Sequence, residues 1–424
     1  QVGRSHPACL TRRHAAPPPP RCAPPRGDVA AEAVQSPLAE SAAAPAGPLE
    51  SWIERGERSG SISPKKDTRG ASNVYLPEDF ELPEGVLSKV DRVGKGLASD
   101  VFRCFGCKEA ACQGPKGCAQ NTWRFEPDGY LRAVLTAQVY DVAIESPLEE
   151  AVKMSEKYEN RILLKREDLQ PVFSFKLRGA FNKMANLPKQ ALERGVITSS
   201  AGNHAQGVAL AASKLGCKAT ICMPVNTPDI KVANVRRLGG IVELVGESYQ
   251  ETQAYAAAKS ESDGLPFIAP YDDPFTIAGQ GTIADEIKRQ VKDFDSLDAV
   301  FVPVGGGGLI AGIAAYLKAL KPSIQVIGVE PTGANAMAQS LMRGERIVLS
   351  RVDAFADGVA VKQVGFETFR LCQQLCDGVI LVDNSAISAA IKSVFNETRS
   401  ILEPAGAVAV AGAKAWIKAT NSKW

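Results

Sequence analysis

Four consecutive glycines, Gly305 to Gly308, interrupt the most apolar stretch of the chain, Val300 to Leu317. The stretch has about the length of a short membrane span. Pro303 and the glycines instead divide it into strand, turn and helix, so no membrane segment is expected. A strand that feeds a helix through glycine is the connection used in parallel α/β sheets. Glycine also lets successive backbone amides turn toward one point beside a helix N-terminus, so this loop is expected to bind phosphate.

The same alternation of strand, loop and helix runs from Val139 onward. Ile162–Leu164, Val196–Thr198, Ala219–Met223, Ile241–Val245, Ala299–Val304, Gln325–Val329 and Gly378–Val382 read as strands. Ser146-Pro147-Leu148-Glu149 reads as a capping box with proline at the first helical position, and Ser248-x-x-Glu251 as another. Thr227-Pro228-Asp229 is expected to cap a helix that Gly239-Gly240 ends, and Gly216 to end the one before it. The repetition predicts α/β domains on parallel sheets covered on both faces, with the later strands in a second sheet.

Residues 1–27 carry Arg4, Arg12, Arg13, Arg21 and Arg26, much Ala and Pro, and no acid before Asp28. That is the composition of an organelle transit peptide, and 1–50 are expected to form a disordered leader. Residues 51–135 are poorly readable; Cys104, Cys107, Cys112 and Cys118 are the one candidate metal set there, and no metal is expected elsewhere. A net charge of +2 gives nucleic-acid binding no electrostatic support. The histidines are His6, His14 and His204, so one serves the folded part, which argues against Ser-His-Asp hydrolysis and His-rich metal catalysis.

Chemistry therefore points to a borrowed cofactor. Lys176 stands among apolar neighbours in Ser174-Phe175-Lys176-Leu177-Arg178-Gly179. A lysine with a packed stem and a partly desolvated amine loses basicity and becomes a usable nucleophile for an aldehyde or other carbonyl. In Ser199-Ser200-Ala201-Gly202-Asn203-His204, small residues between strand and helix let backbone amides and the Ser200 hydroxyl face a carboxylate. Asn203 offers a donor and an acceptor suited to a ring oxygen. A competing reading exists: Gly306-x-Gly308-x-x-Ala311 fits a dinucleotide fingerprint, with Glu330 where a ribose-binding acid belongs, as in an NAD-dependent dehydrogenase. It leaves Lys176 and the Asn203 loop unexplained.

Together, Arg166–Pro171, Ser174–Gly179, Ser199–Gln206, Gly305–Gly312 and Glu403-Pro404-Ala405-Gly406 resemble the fold type II pyridoxal-phosphate enzymes. Within them, the stretch from Val139 to about Trp416 is similar to the threonine deaminases (threonine dehydratases) of the plant chloroplast biosynthetic kind. The resemblance implies a tryptophan synthase β-like α/β fold of two parallel-sheet domains with the cofactor in the cleft between them. Residues 136–197 with 276–424 would form the large cofactor domain and 198–275 the small one. Lys176 would carry pyridoxal 5'-phosphate, with Phe175, Asn203 and Gly305, Gly306, Gly307, Gly308 and Leu309 as further cofactor contacts. Ser200, Ala201, Gly202 and His204 would meet the substrate.

The implied reaction turns L-threonine into 2-oxobutanoate and ammonia, the committed step of isoleucine synthesis, in a plastid homo-oligomer (dimer or tetramer). Serine racemases carry Ser where this chain has Ala201, so alanine disfavours racemisation. The family's Ser-Gly-Ala-Asn strand and isoleucine-sensing domains have no counterpart before Trp424. Impaired turnover and loss of isoleucine control are therefore expected of the chain. A serine dehydratase of the same fold and a non-catalytic truncated subunit stand as alternatives.

Overall fold

The computed structural model describes residues 74–80, 86–88 and 122–421. The leader 1–50 and the four-cysteine cluster at 104–118 lie outside the described residues. Its strands, in chain order, are β1 (Val74–Tyr75), β2 (Val86–Ser88), β3 (Leu148–Glu150), β4 (Leu163–Lys165), β5 (Val196–Ser199), β6 (Ala219–Met223), β7 (Ile241–Leu244), β8 (Ala299–Pro303), β9 (Gln325–Pro331), β10 (Val348–Leu349) and β11 (Gly378–Val382).

β5, β6 and β7 form one parallel sheet in that order, in register Val196↔Ala219 and Thr220↔Ile241. The second sheet runs β2-β11-β9-β8, and its last three strands are parallel. β8 and β11 are largely apolar, and the centre of β9 is Val-Ile-Gly-Val, as strands covered on both faces require. Alternate residues confirm the two covers. Val326 packs with Ile310, Ile313 and Leu317 of the helix Gly308–Leu320, while Ile327 and Val329 pack with Ala407, Val408 and Ala411 of the helix Pro404–Thr420. In the smaller sheet, Val196 and Ile221 share a core with Val208 and Ala209 of the helix Asn203–Leu215. Its opposite face buries Ile197 and Cys222 against Ala256 of the helix Tyr249–Ser262.

Local signals account for several helix ends. Gly216 closes the helix Asn203–Leu215 in the left-handed conformation, φ 69°. The Ser248 hydroxyl accepts from the Glu251 amide at 3.3 Å, so the N-cap forms as expected, while the Glu251 carboxylate reaches past the cap to the Glu247 amide at 2.9 Å. The apolar run Val300–Leu317 is divided as expected, and no described helix is long and apolar enough to cross a membrane.

Several expectations are overturned. Ser146-x-x-Glu149 opens no helix: Leu148–Glu150 is β3, antiparallel to β4, and the helix starts only at Val152. The Ser146 hydroxyl donates to Glu167 at 2.5 Å and Glu149 pairs with Arg166, so the residues of the cap signature serve tertiary partners instead. β2 joins β11 antiparallel, so the larger sheet is mixed at that edge. Pro228 takes the cap position of the helix Asp229–Arg237 with no side-chain cap bond. The domain boundary expected between 197 and 198 falls inside β5.

The helix Lys176–Ala185 crosses the helix Pro274–Gln290 at backbone contact. A Cβ on Gly279 would lie 2.7 Å from the Arg178 carbonyl oxygen and 2.8 Å from the Gly179 Cα, so only glycine fits the crossing. This crossing fixes Lys176 against the segment that leads into Pro274.

Candidate active site

Lys176 is the first residue of its helix. Phe173 holds a left-handed φ of 57°, and the Ser174 hydroxyl accepts from the Lys176 amide at 3.3 Å, so the chain turns into the helix with the lysine facing the cleft. Its Nζ donates to the Pro270 carbonyl at 3.1 Å and stands 5.4 Å from the Phe175 ring centroid. Burial pushes the amine down to about 8, against the opposing pull of the Glu403 carboxylate. Near pH 8, half of the amine is unprotonated and nucleophilic.

The glycine loop follows β8. The Gly306 carbonyl accepts from the Thr368 hydroxyl at 2.6 Å and the Gly365 amide at 3.3 Å. A trans peptide points its N–H opposite its C=O, so the Gly307 amide is turned away from Thr368. Gly307 has φ 94°, open to glycine at little cost, which brings successive amides round to one side before the helix begins at Gly308. No described residue accepts a hydrogen bond from the amides of Gly305, Gly306 or Gly307. The Tyr271 ring lies on the loop so closely that a Cβ on Gly306 would sit 2.2 Å from it.

Unspent amides at the start of a 13-residue helix form a phosphate cradle, and a buried amine of lowered basicity in the same cleft suits an aldehyde. The residues present therefore fit pyridoxal phosphate. Gly307→Ala is expected to weaken binding of the cofactor about tenfold and to cost about 2 kcal/mol of stability. Its Cβ would meet Met337 Cε at 2.7 Å and Thr368 Cβ at 2.9 Å, besides being forced into a left-handed backbone. Absorbance titration and thermal melting of the variant check both effects.

On the facing side, the helix Asn203–Leu215 points its start into the cleft. The Ser200 amide donates to the Cys222 carbonyl, and the Gly202 amide to the Ser200 hydroxyl at 3.3 Å. Two amides expected to face an anion are thus committed elsewhere, leaving those of Ala201, Asn203 and His204. The Ser200 hydroxyl keeps its proton to donate. His204 is buried, and its Nε2 lies 2.9 Å from the Ile268 carbonyl; a carbonyl can only accept, so Nε2 carries the proton. Burial, then the nearby Lys176, push this imidazole down to about 3, so it is neutral at physiological pH. Its Nδ1 is a buried acceptor with no partner among the described residues.

All of the residues expected at the site line one cleft of about 1820 Å³: Phe175, Lys176, Ser200, Ala201, Gly202, Asn203, His204, Gly305 to Gly308 and Leu309. Glu330 does not. It is fully buried, and its carboxylate accepts from the Met337 and Ala338 amides at 2.9 and 2.8 Å, where it closes the start of the helix Ala336–Arg343. That removes the ribose-binding acid from the dinucleotide reading. Sequence reasoning missed Pro270 and Tyr271, and held Glu403 only as part of a motif, with no role at the site. Glu403 Oε1 accepts from Asn203 Nδ2 at 2.8 Å; the residue is exposed along the cleft, and partial desolvation of its carboxyl raises it above the usual range.

A sequence profile of the pyridoxal-phosphate dependent enzymes matches residues 139–423. The chain is 63% identical over 289 residues to threonine dehydratase 1 biosynthetic, chloroplastic, of Solanum lycopersicum, covering 68% of this chain and 47% of that one. The processed form of threonine deaminase isoform 2 from Solanum lycopersicum superposes with TM-score 0.69 at 56% identity, over 70% of this chain and 86% of that chain. Maize serine racemase superposes with TM-score 0.64 at 34% identity, over 68% and 85% of the two chains. The chain spans about half the length of the curated relatives it matches.

Proposed function

Because the chain belongs to the pyridoxal-phosphate-dependent enzyme family, we propose that its cleft holds that cofactor on Lys176 and deaminates L-threonine to 2-oxobutanoate. What carries the reading is the meeting, in one cleft, of a buried amine near pKa 8 with the unspent amides of the glycine loop. When bound, the cofactor supplies an electron sink for the substrate's α-carbon.

The chain's own residues do the rest. The amides of Gly305, Gly306 and Gly307 hold the phosphate, and Asn203 Nδ2 donates to the ring oxygen. Ser200 and the free amides of Ala201, Asn203 and His204 hold the substrate carboxylate at the start of their helix. With the cofactor bound, Lys176 Nζ would be placed to take the substrate's α-proton. Its lowered basicity leaves it unprotonated often enough for that task near neutral pH. Ala201 has no proton to give, so no second acid returns one to the α-carbon, and elimination is favoured over racemisation. The β-hydroxyl would leave as water with a proton equivalent to the one taken from the α-carbon, and one water would be taken up again as ammonia is released, so the net loss is ammonia.

Purified protein supplied with pyridoxal phosphate is expected to release 2-oxobutanoate and ammonia in equal amounts from L-threonine. An L-serine control measures the rival dehydratase activity. Cofactor binding with no product from either amino acid would instead support a non-catalytic subunit. The composition of residues 1–27 and the chloroplastic relative support a plastid location, and we infer a homo-oligomer for the assembled enzyme. Fluorescent fusion of residues 1–50, imaged in plant cells, tests the location.

A further inference from the structure

We propose that Glu403 is a positioning residue that holds the Asn203 amide with its nitrogen fixed as a donor to the cofactor ring oxygen. The inference rests on the reading of the cleft as a pyridoxal-phosphate site and adds a residue to it. An asparagine amide has a donor end and an acceptor end of nearly the same shape, and a half-turn about its last torsion exchanges them. At Asn203 that choice decides whether a ring oxygen meets an N–H or a lone pair.

Glu403 settles the choice. Glu403 Oε1 accepts from Asn203 Nδ2 at 2.8 Å, so the amide presents its nitrogen to the carboxyl oxygen. Nδ2 carries two hydrogens; one is spent on Glu403 and the other remains for the cleft. Flipping the amide would set Oδ1 against the carboxylate and lose the charge-assisted bond.

The carboxylate is itself held in place. Glu403 occupies the cap position of the helix Pro404–Thr420, where Pro404 fixes the entry of the chain. Gly358 packs against it: a Cβ there would stand 3.5 Å from Oε1 and 2.9 Å from the Ala405 Cβ. The ion pair Lys231–Asp357, at 3.0 Å, lies close enough for both charges to act on Glu403, as does the Lys176 amine. Asn203 and Glu403 are 200 residues apart, on helices that cover different sheets.

The test uses Glu403→Ala, Glu403→Gln, Asn203→Ala and the double variant Asn203→Ala/Glu403→Ala, each titrated with pyridoxal 5'-phosphate. Affinity and the absorbance maximum of the bound cofactor are read together. Glu403→Ala is expected to weaken binding roughly tenfold and to move the maximum. Glu403→Gln keeps an oxygen that accepts Nδ2, so it is expected to stay within about threefold of the parent. On the Asn203→Ala background, Glu403→Ala is expected to add nothing.

Equal losses in Glu403→Ala and Glu403→Gln would overturn the proposal, and so would the same loss from Glu403→Ala whether or not Asn203 is present. An unchanged Glu403→Ala would overturn it too. A parent protein that takes up no pyridoxal phosphate would overturn the reading of the site as well, so the two failures are distinguishable.

Discussion

Lys176→Ala is expected to abolish the visible absorbance of lysine-bound pyridoxal phosphate and to lower threonine turnover at least about 10³-fold. The side chain is asked both to attach the cofactor and to move the α-proton, and no other lysine among the described residues shares its combination of burial and cleft position next to the glycine loop. The loss should not come from unfolding. Lys176 makes one hydrogen bond through its amine, to Pro270, and burial has already pushed that amine down from its ordinary value to about 8. Between pH 8 and the ordinary lysine value the unfolded chain binds more protons, so in the cofactor-free protein this group opposes folding below pH 8 and the opposition fades as pH rises. The alanine variant should therefore be at least as stable as the parent at pH 7, measured by urea denaturation without cofactor. In the parent, attachment of added cofactor should quicken as pH rises through about 8 and then level off, because only the free amine reacts. A dehydrogenase would retain NAD binding in Lys176→Ala. Retained threonine turnover in the variant would remove Lys176 from the chemistry.

Lys176 and the glycine loop were readable because each is a local device. Burial of the lysine is written in its apolar neighbours, and an amide nest before a helix is written in Gly305 to Gly308. Strands β6 and β11 were readable for the same reason, their apolar runs being bounded by turn residues on both sides. What failed had distant causes. Ser146-x-x-Glu149 carries a genuine cap signature, but β4 lies across from it and Glu167 and Arg166 take both side chains. Tertiary pairing outweighed a cap worth about 1 kcal/mol. β2 pairs with a strand nearly 300 residues later, and nothing around Val86–Ser88 announces that partner. Glu330 sits where a ribose acid belongs in sequence, yet two amides of the following helix claim its carboxylate. Glu403 was visible only as part of a motif; its bond to Asn203 spans two helices that the sequence does not place side by side.

Arg178, two positions after Lys176, is fully buried. It donates to Glu286 Oε1 at 2.5 Å and Oε2 at 3.0 Å, to both oxygens of Glu167 at 2.8 and 2.9 Å, and to the Thr282 hydroxyl at 3.1 Å. These bonds fasten the helix Lys176–Ala185 to the helix Pro274–Gln290 and to the 144–170 segment. Removing one partner from a buried ionic set strands the others, at about 3–5 kcal/mol, which is a large share of a typical total stability of about 5–15 kcal/mol. Arg178→Met keeps the apolar stem and removes only the guanidinium, so that cost should appear almost whole in urea denaturation.

The loss should also carry a pH signature. Burial raises Glu286, but Arg178 and Lys165, the latter at 2.6 Å, outweigh it and hold the carboxyl below its ordinary value. A carboxyl depressed in the folded state contributes stability above its unfolded pKa and loses it as pH falls through the lower folded value. Without Arg178, Glu286 keeps Lys165 as its one cationic partner, with the Tyr140 hydroxyl donating at 2.9 Å, against the same burial, so its contribution should vanish at a higher pH. Acid unfolding of Arg178→Met is therefore expected to begin at higher pH than in the parent, and cofactor affinity should fall with it as the lysine helix loosens. A variant within about 1 kcal/mol of the parent, with an unmoved acid transition, would show that the helix crossing at Gly179 and Gly279 holds Lys176 in place without the buried ions.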